Sequence, residues 1–120
     1  MRDEKLDIGS DTIDLAPGVE IREIRVRLQS ESEFEPARVQ ARVGDVIRFQ
    51  TSDARTHVLG FLEDSIPPGG REWLASRSQL RSPPLLVEGA TWIVSLEGAP
   101  PGAYTFHCVT HGLTGRIAIE

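Results

Sequence analysis

Ala37-Arg-Val-Gln-Ala-Arg-Val43, Gly44-Asp45 and Val46-Ile-Arg-Phe-Gln-Thr51 form the stretch from which the fold is read. Ala37, Val39, Ala41 and Val43 alternate with Arg38, Gln40 and Arg42, and Ile47, Phe49 and Thr51 alternate with Arg48 and Gln50. Successive side chains of a strand point to opposite faces, so a period of two with one charged face describes a strand packed on one side and wet on the other. Gly-Asp between two such runs is a turn signal and predicts a hairpin-like pair.

The same pattern continues in both directions. Upstream, Ile24, Val26 and Leu28 alternate with Arg25 and Arg27, while Val19 and Ile21 fall out of phase, which predicts a bulge near Arg22. Downstream, strands are expected over 56–62 (THVLGFL), 91–96 (TWIVSL), 103–109 (AYTFHCV) and 116–120 (RIAIE). Only 71–80 (REWLASRSQL), fenced by Gly69-Gly70 and Pro83-Pro84, has helix-forming composition. Its apolar stripe is poor, so at most one short helix is expected. Seven or so short strands with close turn signals predict an all-β fold, an antiparallel two-sheet sandwich. Residues 1–18 are charged and turn-rich and read as a flexible leader, leaving 19–120 as a single domain. A chain of 120 residues has room for one such core and not for two.

Composition excludes several partners. Thirteen Lys and Arg are scattered among eighteen Asp and Glu, for a net charge of −5, so no clustered positive face exists to neutralise phosphates, and nucleic acid is not expected. No stretch approaches the roughly 20 apolar residues that span a bilayer, so no membrane span is expected in this chain. The single cysteine, Cys108, cannot close an internal disulfide and is free, catalytic or metal-bound.

Cys108 ends the AYTFHCV strand, and His111 follows three residues later in a loop, so thiolate and imidazole can turn to a common point. His57, opening another strand after the polar turn Ser52-Asp-Ala-Arg55, supplies a third donor. Two histidines and one cysteine form the trigonal set of blue-copper electron-transfer sites. Tyr104, Phe106 and Cys108 share one face of their strand, so His107 points away from the thiol and reads as structural. Trp73 and Trp92 read as packing residues. Leu59, Gly112 and Leu113 are the candidates for an apolar rim around His111.

With these residues in hand, the chain resembles the cupredoxins, and within them the plastocyanin and amicyanin group. The resemblance runs from about Val39 to Glu120. It lies in the GDVIRF strand, THVLGFLEDSIPPGG, LLVEGATWIVSL and the YTFHCVTHGLTGRIAIE ending with its Cys-x-x-His loop, all in the family's order. It implies an eight-stranded Greek-key sandwich binding one copper ion that cycles between Cu(I) and Cu(II). It also implies a carrier, not an enzyme, that is monomeric, extracytoplasmic and docked by redox partner proteins near His111, a signal or anchor having preceded the chain.

One family feature is missing. An axial methionine usually follows the second histidine, and the sole methionine here is Met1. Thr114 stands where shorter-loop members carry it, which leaves a three-coordinate site with a weak fourth contact from the Thr114 hydroxyl or the Thr56 carbonyl. Loss of the thioether is expected to raise the reduction potential. Two other readings stand beside the carrier: a copper-free sandwich used for binding or structure, and a red-copper-type site that reacts with a small molecule. Extra copper centres are excluded, because three histidines are too few.

Overall fold

Each alternating run contains a strand that buries the apolar residues at its centre, while Ala37 and Val43 at the ends of the 37–43 run lie outside the strand and are exposed. The computed structural model describes residues 18–120 and, before them, the backbone of β1 (Lys5–Ile8) and β2 (Asp11–Asp14), which pair antiparallel. Of the leader expected over 1–18, the described residues are the backbone of these two strands and Gly18. Then come β3 (Ile21–Val26), β4 (Phe34–Glu35), β5 (Arg38–Ala41), β6 (Val46–Thr51) and β7 (Leu59–Phe61). Among the described residues one short 3-10 turn (Glu63–Ser65) and one α-helix, α1 (Gly70–Ser76), precede β8 (Thr91–Ser95), β9 (Gly102–Cys108) and β10 (Thr114–Ile119). The strands after β2 make two four-stranded sheets, ordered β4-β3-β6-β8 and β5-β10-β9-β7.

The sheets pack through aromatic rings that cross between them. Phe106 of β9 meets Phe34 of β4 at 4.7 Å between centroids and Phe49 of β6 at 5.2 Å, both edge to face, an arrangement that adds to simple area burial. Trp92 is buried and stacks on Phe49, as a packing residue should. Trp73 is half-buried on α1, edge-on to Tyr104, and its Nε1 donates to the Glu97 carbonyl at 3.0 Å.

Three expectations about pairing are corrected. First, β5 and β6 do not form a hairpin: β5 pairs with β10 and β6 with β3, so Gly44-Asp45 carries the chain from one sheet to the other. Gly44 has a φ of +97°, and buried Asp45 accepts from the Arg42 N–H at 2.9 Å and the Glu20 N–H at 3.1 Å, tying the crossing to the start of β3. Second, β3–β6 and β5–β10 are parallel, so the sandwich has two mixed sheets and is not purely antiparallel. Strands that cross between sheets no longer fold back on their sequence neighbours, and each takes a partner of either direction. Third, the β3–β6 register runs without interruption from Ile21↔Val46 to Val26↔Thr51. No bulge forms near Arg22, and Ile21 instead points outward, 36% exposed.

The interior sets the behaviour of the one tyrosine. Tyr104 is 1% exposed and its hydroxyl donates to the Pro100 carbonyl at 2.6 Å. Burial raises its pKa above the ordinary 10.0, because phenolate cannot be hydrated there. The folded protein therefore holds this proton more tightly than the unfolded chain. The stabilisation is fully present below pH 10 and is lost as pH rises through the folded value. A phenolate absorbance titration should begin above pH 10 and be accompanied by falling stability; ionisation below pH 10 with the fold intact would refute it.

Candidate metal centre

The site lies at one end of the sandwich, where β9 stops. Cys108 is that strand's last residue, fully buried opposite Leu59 of β7. Beyond it the chain closes a tight loop: the Cys108 N–H donates to the Leu113 carbonyl at 2.9 Å, and the Gly112 N–H to the Cys108 carbonyl at 2.7 Å. Gly112 has a φ of +81°, which glycine adopts without the penalty of a Cβ. The loop brings His111 Nδ1 to 3.2 Å from Cys108 Sγ. The Thr110 hydroxyl lies 2.9 Å from the same sulfur.

His57 lies two residues before β7, in an isolated bridge with Leu85. Its N–H donates to the Leu85 carbonyl at 3.0 Å and its carbonyl accepts from the Leu85 N–H at 2.8 Å, which holds the backbone on both sides. The imidazole is fully buried, 5.4 Å from the His111 ring between centroids. The three expected donors therefore meet.

Two carboxylates that sequence reasoning did not select complete the cluster. Glu33, just before β4, is 2% exposed, and its Oε2 lies 2.5 Å from His57 Nδ1 and 3.0 Å from His111 Nδ1. One donor atom each of Glu33, His57, Cys108 and His111 lies within 4.8 Å of the others. Asp53 Oδ1 sits 2.6 Å from the other ring nitrogen of His57, and Asp53 Oδ2 accepts from the Leu28 N–H at 2.8 Å. Desolvation pushes the Asp53 carboxyl up, but the His57 hydrogen bond, the Leu28 N–H, the His57 charge and the Arg55 N–H outweigh it, and the net shift is downward. Glu31, Glu33 and Glu35 look alike in sequence, and period two would set Glu33 on the face opposite buried Phe34, so nothing local marked it.

Other residues fall elsewhere. Thr114 starts β10 on its outward face, exposed and paired with His107, so its hydroxyl is not among the converging donors. The Thr56 carbonyl accepts from the Thr110 hydroxyl at 3.3 Å. His107 is half-buried on the outer face, as the pleat requires; burial, then the nearby Arg81 charge, lowers its pKa. Leu59 is fully buried in the core and cannot form a rim, because its register puts it beside Cys108. Leu113 is half-buried and Gly112 exposed, while Val109, Leu86 and Val87 are the apolar side chains that reach solvent along these segments.

This donor set suits a cation. Thiolate and imidazole are soft and borderline ligands of the kind copper takes. Glu33 Oε1 is buried with no hydrogen-bond partner, an unmet acceptor in a protein interior. Holding the far nitrogen of a metal-binding imidazole by a carboxylate fixes ring orientation and raises ligand basicity, and Asp53 is placed for that. Asp53→Asn should weaken metal affinity about 10–100-fold while the fold persists, measured by competition with a chelator; unchanged affinity would refute the orienting role.

Comparison with known proteins agrees with the geometry. A family model described as copper binding proteins, plastocyanin/azurin family, matches residues 23–120. Chloroplastic plastocyanin of Hordeum vulgare is 29% identical over 90 residues, 72% of this chain and 54% of that protein, so the chain spans about half the length of this relative. Oxidised plastocyanin from Dryopteris crassirhizoma superposes with a TM-score of 0.63 at 21% identity, over 82% of this chain and 99% of that one. A purple cupredoxin from Nitrosopumilus maritimus does so with a TM-score of 0.59 at 18% identity, over the same shares. At these identities the structural likeness speaks for the fold, a cupredoxin β-sandwich.

Proposed function

We propose that this chain, which belongs to the plastocyanin/azurin family of copper-binding proteins, is a one-electron carrier that holds its copper through His57, Cys108 and His111. One copper ion is the cofactor. The observation that carries the reading is the convergence of these side chains, from two distant stretches of sequence, on one buried point. Copper bound there supplies the Cu(I)/Cu(II) couple.

The chain's own part is to keep the donors still. His57 is clamped by two backbone bonds to Leu85, Cys108 ends a paired strand, and the 108–113 loop is closed by its own backbone bonds. Donors held by the sandwich need not rearrange when charge changes, which favours fast outer-sphere transfer. His111 has 22% of its side chain exposed and is the donor nearest solvent. A redox partner protein would therefore dock over His111, where exposed Val109 adds apolar surface.

Family membership supports an extracytoplasmic carrier, and we read it as a monomer. Among the described residues no helix is long and apolar enough to cross a membrane. Voltammetry of the copper-loaded protein tests the role. A reversible one-electron wave is expected; an irreversible wave accompanied by steady turnover of a small molecule such as dioxygen or nitric oxide would replace the carrier with an enzyme.

A further inference from the structure

The donors that meet at the centre number four, and the fourth is on neither the Cys-x-x-His loop nor the histidine strand. We propose that Glu33 is a metal ligand: its carboxylate, delivered by the connection between β3 and β4, fills the position that a methionine after His111 would otherwise serve. This rests on the copper reading above and deepens it.

Burial is the first support. The Glu33 side chain has no exposure, its Oε1 has no partner, and among the described residues its only ionic neighbours are His57 and His111. A carboxylate taken out of water at this depth needs a compensating charge. The placement is also held: the Arg27 N–H donates to the Glu33 carbonyl at 2.8 Å, and the Gln29 N–H to the Ser32 carbonyl at 2.8 Å, so the turn that presents Glu33 is built into the backbone.

Convergence is the second support. One donor atom each of Glu33, His57, Cys108 and His111 lies within 4.8 Å of the others, with Glu33 Oε2 2.5 Å from Nδ1 of His57 and 3.0 Å from Nδ1 of His111. A cation shared by these four groups would supply the charge the buried carboxylate lacks and a partner for its orphaned oxygen. Thiolate and carboxylate together also balance a divalent charge.

The assignment changes the expected chemistry. An anionic oxygen is harder than a thioether and favours Cu(II) over Cu(I). The potential should therefore lie below that of methionine-ligated relatives, reversing the rise expected from simple loss of the thioether.

The test compares Cu(II)-loaded wild type, Glu33→Ala and Glu33→Gln by visible absorption, electron paramagnetic resonance and redox titration. Each variant is first checked for one copper per chain and for native circular dichroism. Glu33→Gln keeps the shape, so it remains readable if Glu33→Ala does not fold. The expected result is a shifted thiolate-to-copper band, altered copper hyperfine splitting and a higher potential in the variants. Spectra and potentials that superimpose on wild type would overturn Glu33 as a ligand while leaving the His57, Cys108 and His111 site standing. A wild type with no Cys108-dependent band would overturn both, and the two failures are told apart by that band.

Discussion

Cys108→Ser abolishes the visible thiolate-to-copper band completely, because Cys108 is the chain's single thiol and no other sulfur can replace it among the described residues. A serine hydroxyl does not ionise near neutral pH and is a poor donor to a soft metal. The loss of copper affinity should exceed the roughly 10–100-fold typical of removing an outer partner. The fold should survive: Ser is close in size, and the Thr110 hydroxyl, 2.9 Å from the sulfur, is there to hydrogen-bond it. Titration with Cu(II) by absorbance, with circular dichroism alongside, reads both. A coloured, tightly copper-loaded serine variant would remove Cys108 from the donor set.

Gly115→Ala is expected to be strongly destabilising. A Cβ at Gly115 would fall on the Phe106 ring, with Cε1 at 2.7 Å and Cε2 at 2.8 Å, well inside contact distance. That ring cannot step aside, because Phe34 and Phe49 hold it edge to face and it is fully buried. Overpacking of this kind costs about 3 kcal/mol or more, which lowers the melting temperature by on the order of 10 °C in a domain of this size. Gly112→Ala separates sterics from backbone strain. Its Cβ would meet open space, but its φ is +81°, so its cost should be only about 1 kcal/mol. Thermal unfolding of both checks this. Equal losses, or a Gly115→Ala variant as stable as wild type, would contradict the packing described.

The strands were legible in the sequence because alternation is a local property. Val39 and Ala41 bury while Arg38 and Gln40 do not, and Ile24, Val26, Phe49, Phe106 and Cys108 point inward as their phase requires. Partner choice was not legible. Both sheets turn apolar faces to one core, so the alternation of β5 and β6 is the same whether they pair or cross, and Gly44-Asp45 serves either geometry. The parallel pairs β3–β6 and β5–β10 join strands far apart in the chain, and no local signal sets their register.

The site divides in the same way. His57, Cys108 and His111 stood out because their residue types are scarce and their chemistry is specific. Glu33 and Asp53 are two among eighteen acidic residues, and only tertiary packing distinguishes Glu33, buried beside His57, from exposed Glu31 and Glu35. Leu59 misled for the opposite reason: a leucine near a metal-binding histidine suits an exposed rim or a core equally, and its register with Cys108 placed it in the core.

X-ray absorption at the copper edge of the loaded protein reads the inner ligands directly. One sulfur, two imidazole nitrogens and one carboxylate oxygen are expected around a single copper, the sulfur signal vanishing in Cys108→Ser and one imidazole signal in His57→Ala. A copper surrounded only by oxygen and nitrogen, unchanged by either substitution, would mean that the metal sits elsewhere.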